Sequence, residues 1–316
     1  MDDMTIPVYV ISGFLESGKT TFLNFTLNQD YFRIDGKTLL ILCEEGEEEY
    51  NIRKLSRDNT VVEVIADKED FTPQKLATLD MLHKPDRVLV EYNGMWLVSD
   101  FEKMELPKGW SIEQEITIAD ARTYQVYINN MKSLFMDMVR NADLVIFNRC
   151  LKSDPLPSYR RGIKVANQRA EVVFEDEKGE ISDIFSDEMP FDMDAPVIDI
   201  LPEDYGIWFV DAMDNPDHYD GKTVRFTARV MKPRGLGRKF FIPGRTAMTC
   251  CADDTTFLGY LCKSDNAPSL KPGSWVSVTA RGQVEERREY KGKGLVLYAD
   301  EVNECEPLRE EMVYFN

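Results

Sequence analysis

Gly13-Phe14-Leu15-Glu16-Ser17-Gly18-Lys19-Thr20 fits the G-x-x-x-x-G-K-[ST] pattern of a phosphate-binding loop. Its context supports the reading. Apolar Ile6–Ser12 precedes it and reads as a buried strand, while Thr20–Asn28 follows and reads as a helix. A loop in that position can aim backbone N–H groups at phosphate oxygens, and the helix N-terminus adds positive potential. Gly13 and Gly18 allow close backbone approach, with Glu16, Ser17 and Thr21 completing the expected cradle. Lys19 is expected to bridge the β- and γ-phosphates and the Thr20 hydroxyl to ligate Mg²⁺. The competing reading is an ordinary glycine-containing turn. Lys-Thr in register behind a strand argues against it.

Working outward, short apolar runs alternate with helical stretches. The expected strands are Ile6–Ser12, Thr38–Cys43, Thr60–Ile65, Arg87–Glu91, Glu115–Asp120, Asp143–Asn148, Ile163–Ala166 and Glu171–Glu175. Helices are expected at Thr20–Asn28, Pro73–His83 and Arg122–Arg140. Nearly all-apolar strands separated by helices predict an α/β P-loop NTPase domain with a mostly parallel sheet. The pattern changes near Pro190–Pro202, which divides the chain into a nucleotide-binding domain, residues 1–195, and a second domain, residues 196–316. Beyond it helix signals nearly vanish. Gly221–Val230, Phe240–Ile242, Ala247–Cys251, Phe257–Cys262, Trp275–Gln283 and Leu295–Val302 read as strands, with Pro243-Gly244 as a turn. Five or six short strands in roughly a hundred residues predict a small all-β, OB-like barrel.

The chain has 316 residues and a net charge of −18, which makes nucleic acid a poor expected partner. No basic leader precedes the first apolar run and no run reaches membrane-spanning length, so a soluble cytoplasmic protein is expected. Six cysteines show no disulfide pattern and read as buried thiols or metal ligands.

The opening Gly13 to Asn24 resembles the CobW-like family of P-loop GTPases, relatives of the nickel-insertion GTPases for urease and hydrogenase. Cys43-Glu44-Glu45-Gly46-Glu47 is similar to the family's Asn-Glu-Phe-Gly-Glu, and Glu91-Tyr92-Asn93-Gly94 to its Glu-x-x-Gly. Ile118-Ala119-Asp120-Ala121 resembles its Val-Asp-Ala segment, and Ala142 to Arg149 the approach to its Asn-Lys-x-Asp base motif. The likeness covers roughly residues 5–185. It implies GTP (or ATP) with Mg²⁺, slow hydrolysis without a partner, a metalloprotein client, and a homodimer like those of its relatives. Glu91 is then expected to hold a Mg²⁺-bound water, Gly94 to donate to the γ-phosphate, and Glu44 to reach the metal or the attacking water. Lys19, Glu44 and Glu91 form the expected catalytic set, and Asn148 and Arg149 the base side.

Three departures matter. Glu16 stands where the family has glycine, so that position is expected to suit a residue with a Cβ. Asn148-Arg149-Cys150-Leu151 lacks the aspartate that accepts from guanine, with Asp154 nearby but displaced, so adenine remains open. The family's Cys-x-Cys-Cys metal motif has no counterpart in Ile65–Phe71. Any metal then needs other ligands. Cys43, Glu44 and Glu45 form one candidate cluster, against the reading of Cys43 as a buried thiol.

Cys250 and Cys251, with Cys262 on the next expected strand, form a second candidate Zn²⁺ set. Adjacent strand residues face opposite sides, so a core role for one of the pair stands equally open. Residues from about Tyr205 to Phe315 resemble the C-terminal domain of the YcgQ-like bacterial family, through Tyr219–Val224, Met248–Asp253, Gly273–Val276 and Val313–Phe315. That resemblance implies a role near a membrane permease and in metal homeostasis. The basic run Arg225, Arg229, Lys232, Arg234, Arg238 and Lys239 reads as a solvated face or protein-binding rim. The leading expectation is a nucleotide-hydrolysing switch assisting transition-metal transfer, zinc foremost. The alternative is a non-catalytic nucleotide-binding adaptor of a permease.

Overall fold

The computed structural model describes residues 5–44, 46, 50–57, 59–181, 189–249 and 254–314, without the side chains of residues 54, 56 and 57. Two compact units emerge: Met1–Leu156 with Asn167–Asp183, and Pro157–Ala166 with Ile184–Asn316.

In the first unit the strands are β1 (Ile6–Ser12), β2 (Thr38–Leu42), β3 (Thr60–Val64), β4 (Arg87–Glu91), β5 (Trp110–Asp120), β6 (Leu144–Asn148), β7 (Glu171–Asp176) and β8 (Gly179–Glu180). Among the described residues they order β3-β2-β4-β1-β5-β6-β7-β8, parallel throughout except for the β7–β8 hairpin. β2 and β4 are almost wholly buried, as strands covered on both faces must be. The helices are α1 (Lys19–Leu27), α2 (Ile52–Arg57), α3 (Pro73–His83), α4 (Val98–Glu102), α5 (Ala121–Asn130) and α6 (Lys132–Val139). Parallel strands all present their carboxyl ends on one side. Ser12, Glu91, Asp120 and Asn148, the last residues of β1, β4, β5 and β6, therefore share one edge of the sheet.

Two expectations in this half of the sequence are corrected. The single helix over Arg122–Arg140 is two, broken at Met131 (φ −135°, ψ 35°), whose N–H closes α5 on Tyr127 O at 2.7 Å. Asn129-Asn130, weak helix formers, precede the break. The strand over Ile163–Ala166 is instead the end of a helix, α7 (Leu156–Ala166). Leu156, Tyr159 and Ile163 recur at helical spacing and each is buried, a period hidden by reading Ile163–Ala166 alone.

In the second unit, β9 (Ile198–Asp199) and α8 (Tyr205–Asp214) lead into β10 (Thr223–Met231), β11 (Phe240–Met248), β12 (Thr255–Gly259), β13 (Cys262–Lys263), β14 (Trp275–Arg287), β15 (Gly292–Glu304) and β16 (Met312–Val313). β10 pairs β14, β14 pairs β15, β15 pairs β13 in parallel, β13 pairs β11, and β11 pairs β10. The ladder thus returns to its starting strand. α8 was missed because it has no polar stripe. Tyr205, Trp208, Phe209, Val210 and Ala212 are all buried, with Trp208 against Phe226 and Tyr260. Pro243-Gly244 is no turn but the middle of β11, where the strand passes from β10 to β12. A Cβ at Gly244 would lie 2.3 Å from Leu258 O, so only glycine lets the two strands meet there.

Candidate functional site

The expected cradle forms between β1 and α1. Gly13 takes φ 140° and Gly18, capping α1, takes φ 102°, with no side chain capping that helix. The loop's carbonyls are engaged by side chains. Lys19 Nζ donates to Gly13 O (2.8 Å) and Phe14 O (3.0 Å), Arg149 to Glu16 O (3.0 Å), and Asn148 Nδ2 to Ser17 O (2.7 Å). These bonds hold the loop in shape, with Ser17 N closing a turn on Phe14 O at 3.1 Å. Glu16 stands at φ 61°, the left-handed region. The site therefore favours the family's glycine, and the Cβ of Glu16 costs about 1–2 kcal/mol of local strain.

Two carboxylates close on this loop. Thr20 Oγ1 donates to Glu91 Oε1 at 2.6 Å, and Tyr50 donates its hydroxyl to Glu91 Oε2. Burial pushes Glu91 above its ordinary value, against the pull of those two donors and of Lys19. Glu44 Oε1 pairs with the buried Lys19 ammonium while its Oε2 accepts from Gly94 N at 3.1 Å. The two donors expected to meet the γ-phosphate thus hold one anion, a side-chain carboxylate.

Lys19, Thr20, Glu44 and Glu91 line a cavity of about 440 Å³ together with Gly18, Thr21, Asp120, Arg122, Tyr127 and Arg149. Asp120 fixes both arginines, accepting from Arg122 NH2 (2.7 Å) and Arg149 NH1 (2.7 Å). Burial opposes its charge, but bonds from Arg122 and Arg149 prevail and hold the carboxyl below the ordinary value. Tyr50 and Arg122 were missed by the sequence reading. Arg122 had a signal, its place two residues past the family-like Asp120; Tyr50 had none.

A larger groove of about 1360 Å³, sharing Gly18, Thr21, Arg122 and Arg149 with the cavity, also carries Asn148, Leu151 and Glu175. Arg149 sits at φ 55°. Asp154, the displaced carboxylate, is tied to its own loop, accepting from Leu151 N at 2.7 Å.

Of the metal candidates, Cys43 is fully buried, and burial beside Glu44 and Glu91 drives its thiol far up. Cys262 is equally buried in β13, with its thiol driven up by the same cause. Both settings favour the neutral thiol over the thiolate that binds metal. Glu45, Cys250 and Cys251 lie outside the described residues. Among the described residues no group of three or more His, Cys, Asp or Glu stands where it could hold a metal ion. In the basic run, Arg225 pairs with Asp199 and Lys239 with Asp265. Among the described residues no helix is long and apolar enough to cross a membrane.

Fold and loop together define a P-loop nucleotide-binding α/β domain. Residues 7–174 match the family described as CobW/HypB/UreG, nucleotide-binding domain, and the chain belongs to that family. Residues 180–315 match the DUF1980 C-terminal domain, over the region that resembles YcgQ-like proteins. A zinc chaperone CobW of Sinorhizobium sp is 24% identical over 217 residues, covering 56% of this chain and 60% of the relative. Its namesake from Pseudomonas aeruginosa is 25% identical over 219 residues, covering 56% and 58%. The chain thus spans about 60% of the length of these curated relatives. The crystal structure of Zn(II)-bound YjiA GTPase from E. coli aligns at 23% identity and TM-score 0.41, covering 56% of this chain and 59% of that one.

Proposed function

We propose that the chain is a GTP-binding and GTP-hydrolysing switch that assists transition-metal transfer, with zinc as cargo. One observation carries the reading: Lys19 and Gly94 converge on a single anion inside the phosphate-loop cavity. A γ-phosphate would compete with Glu44 for the same two donors and release it. The freed carboxylate is then available to orient water for attack on the γ-phosphorus, while the β–γ bridging oxygen leaves with the bond's electron pair and Lys19 neutralises the charge it gains. Thr20 and Glu91 offer adjacent hard oxygens that suit Mg²⁺, and these two residues would hold it. When bound, it neutralises phosphate charge. Arg122, which lines the cavity on a tether to Asp120, adds a cation that the sequence reading had not found.

The second unit fits an OB-like barrel, a reading supported by the closed circuit β10-β11-β13-β15-β14. Its resemblance to permease-associated proteins supports a permease partner, and the likeness of the first unit to the CobW-like GTPases supports a metalloprotein client and a homodimer, as parts of the same proposal with a cytoplasmic site of action. The adaptor reading is favoured by the missing Cys-x-Cys-Cys motif, since Ile65–Phe71 carry no cysteine.

Titration of the full chain with a non-hydrolysable GTP analogue tests the site. Lys19→Ala is expected to abolish binding, and unchanged affinity would refute the assignment. Single-turnover assays with Mg²⁺ and Zn²⁺ separate switch from adaptor: absence of cleavage under every condition favours the adaptor.

A further inference from the structure

On the base side of the site Leu151 stands where the family's motif carries the guanine-reading aspartate, and Asp154 is committed to the Leu151 amide. The fold offers a different carboxylate. β6 and β7 pair in parallel with Phe147 opposite Phe174, so Asn148 and Glu175, the next residues, follow side by side at the strand ends. Paired positions of a sheet face the same way. Phe147 and Phe174 stack on one face at 5.0 Å, which turns Asn148 and Glu175 to the other, where both line the large groove. Cys150 N donates to Glu175 O at 2.9 Å and pins the end of β7 to the loop after β6.

Asn148 is half used. Its Nδ2 donates to Ser17 O at 2.7 Å, while its Oδ1 is buried with no hydrogen-bond partner among the described residues. Buried polar atoms left in this way point to a missing ligand. The Glu175 carboxylate likewise has no cation beside it among the described residues. Burial pushes it above its ordinary value, with Glu180 adding to the push.

We propose that Glu175, beside Asn148, is the residue of this chain that reads the Watson–Crick edge of guanine. This rests on the phosphate-site reading above. Guanine presents N1–H and the 2-amino group as neighbouring donors, and the two oxygens of one carboxylate accept both. Adenine presents a bare N1 at the same edge, which a carboxylate repels. Xanthine carries a carbonyl in place of the 2-amino group, so an amide at position 175 suits it and a carboxylate does not.

The test is calorimetric titration of the full chain, with Mg²⁺, against non-hydrolysable GTP, ITP, XTP and ATP analogues. Wild type should prefer GTP to ITP and XTP by about tenfold or more. Glu175→Gln should weaken GTP and strengthen XTP, each by about tenfold, reversing their order. Asp154→Asn should leave the order unchanged, and far-ultraviolet circular dichroism checks that each variant folds. If wild type binds GTP and Glu175→Gln keeps the same GTP-to-XTP ratio, the base assignment is overturned and the phosphate site stands. If wild type binds no triphosphate, the phosphate-site reading falls and the base assignment falls with it.

Discussion

The amide of Gly94 donates to the carboxylate of Glu44 across 3.1 Å, joining residues fifty positions apart in sequence. The other oxygen of that carboxylate meets the Lys19 ammonium. The loop after β2 thereby supplies an anion to the first residue of α1 and to the loop after β4.

Removing that anion should tighten nucleotide binding. Glu44→Gln is expected to raise affinity for a non-hydrolysable GTP analogue by about tenfold, because phosphate no longer displaces an ion pair. Single-turnover hydrolysis should slow by about a hundredfold if Glu44 also orients water. Calorimetry and quenched-flow measurements check the two halves separately, and weaker binding in the variant would contradict the first.

The Thr20–Glu91 contact makes a different prediction. Thr20→Val keeps the shape and removes the hydroxyl that donates to Glu91 at 2.6 Å. Mg²⁺-dependent enhancement of nucleotide affinity should fall by about tenfold or more, with affinity in EDTA little changed. An undiminished Mg²⁺ effect would remove Thr20 from the ligand set.

Stability should depend on pH through Glu115. Burial, with Glu102 beside it, pushes this carboxyl up to about 8. Its folded form therefore holds a proton that the unfolded chain releases near the ordinary glutamate value. Stability is full below that value and falls as pH rises toward about 8. Glu115→Gln should flatten this slope and raise Tm at pH 8 by about 3 °C, read by differential scanning calorimetry. An unchanged slope would show the carboxyl ionising alike in both states.

The second unit depends on the buried aromatic cluster of α8. Trp208→Ala leaves a cavity against Phe226 and Tyr260 and should cost about 3–5 kcal/mol, measured by urea unfolding. A loss below 1 kcal/mol, about the cost of a surface change, would mean the helix is not part of the core.

The phosphate loop and the parallel sheet were legible because their signals are local. β1 is apolar from Ile6 to Ile11 and β4 from Val88 to Val90, and the loop motif sits directly between a strand and a helix. What escaped was set by distant partners. α8 is buried all round and so lacks a stripe, and β11 runs through a Pro-Gly pair because Gly244 must clear Leu258. Glu44 and Glu91 were legible as acids near strand ends, but the partners that hold them were not. Only the fold sets one against Lys19 and Gly94, and the other against Thr20 and Tyr50. The guanidinium of Arg122 is the exception: its partner Asp120 is only two residues away, so its place was open to reading.

A carboxylate fastened to the chain within reach of the Lys19 ammonium behaves as a competitor at fixed local concentration, of millimolar order for short tethers (about 1 mM). On the proposed reading, solution anions with few contacts, orthophosphate among them, would be turned away, whereas a triphosphate held at many points would prevail. After cleavage the same group would reclaim its partner and help expel the departing phosphate, so the loop would reset itself without an outside trigger.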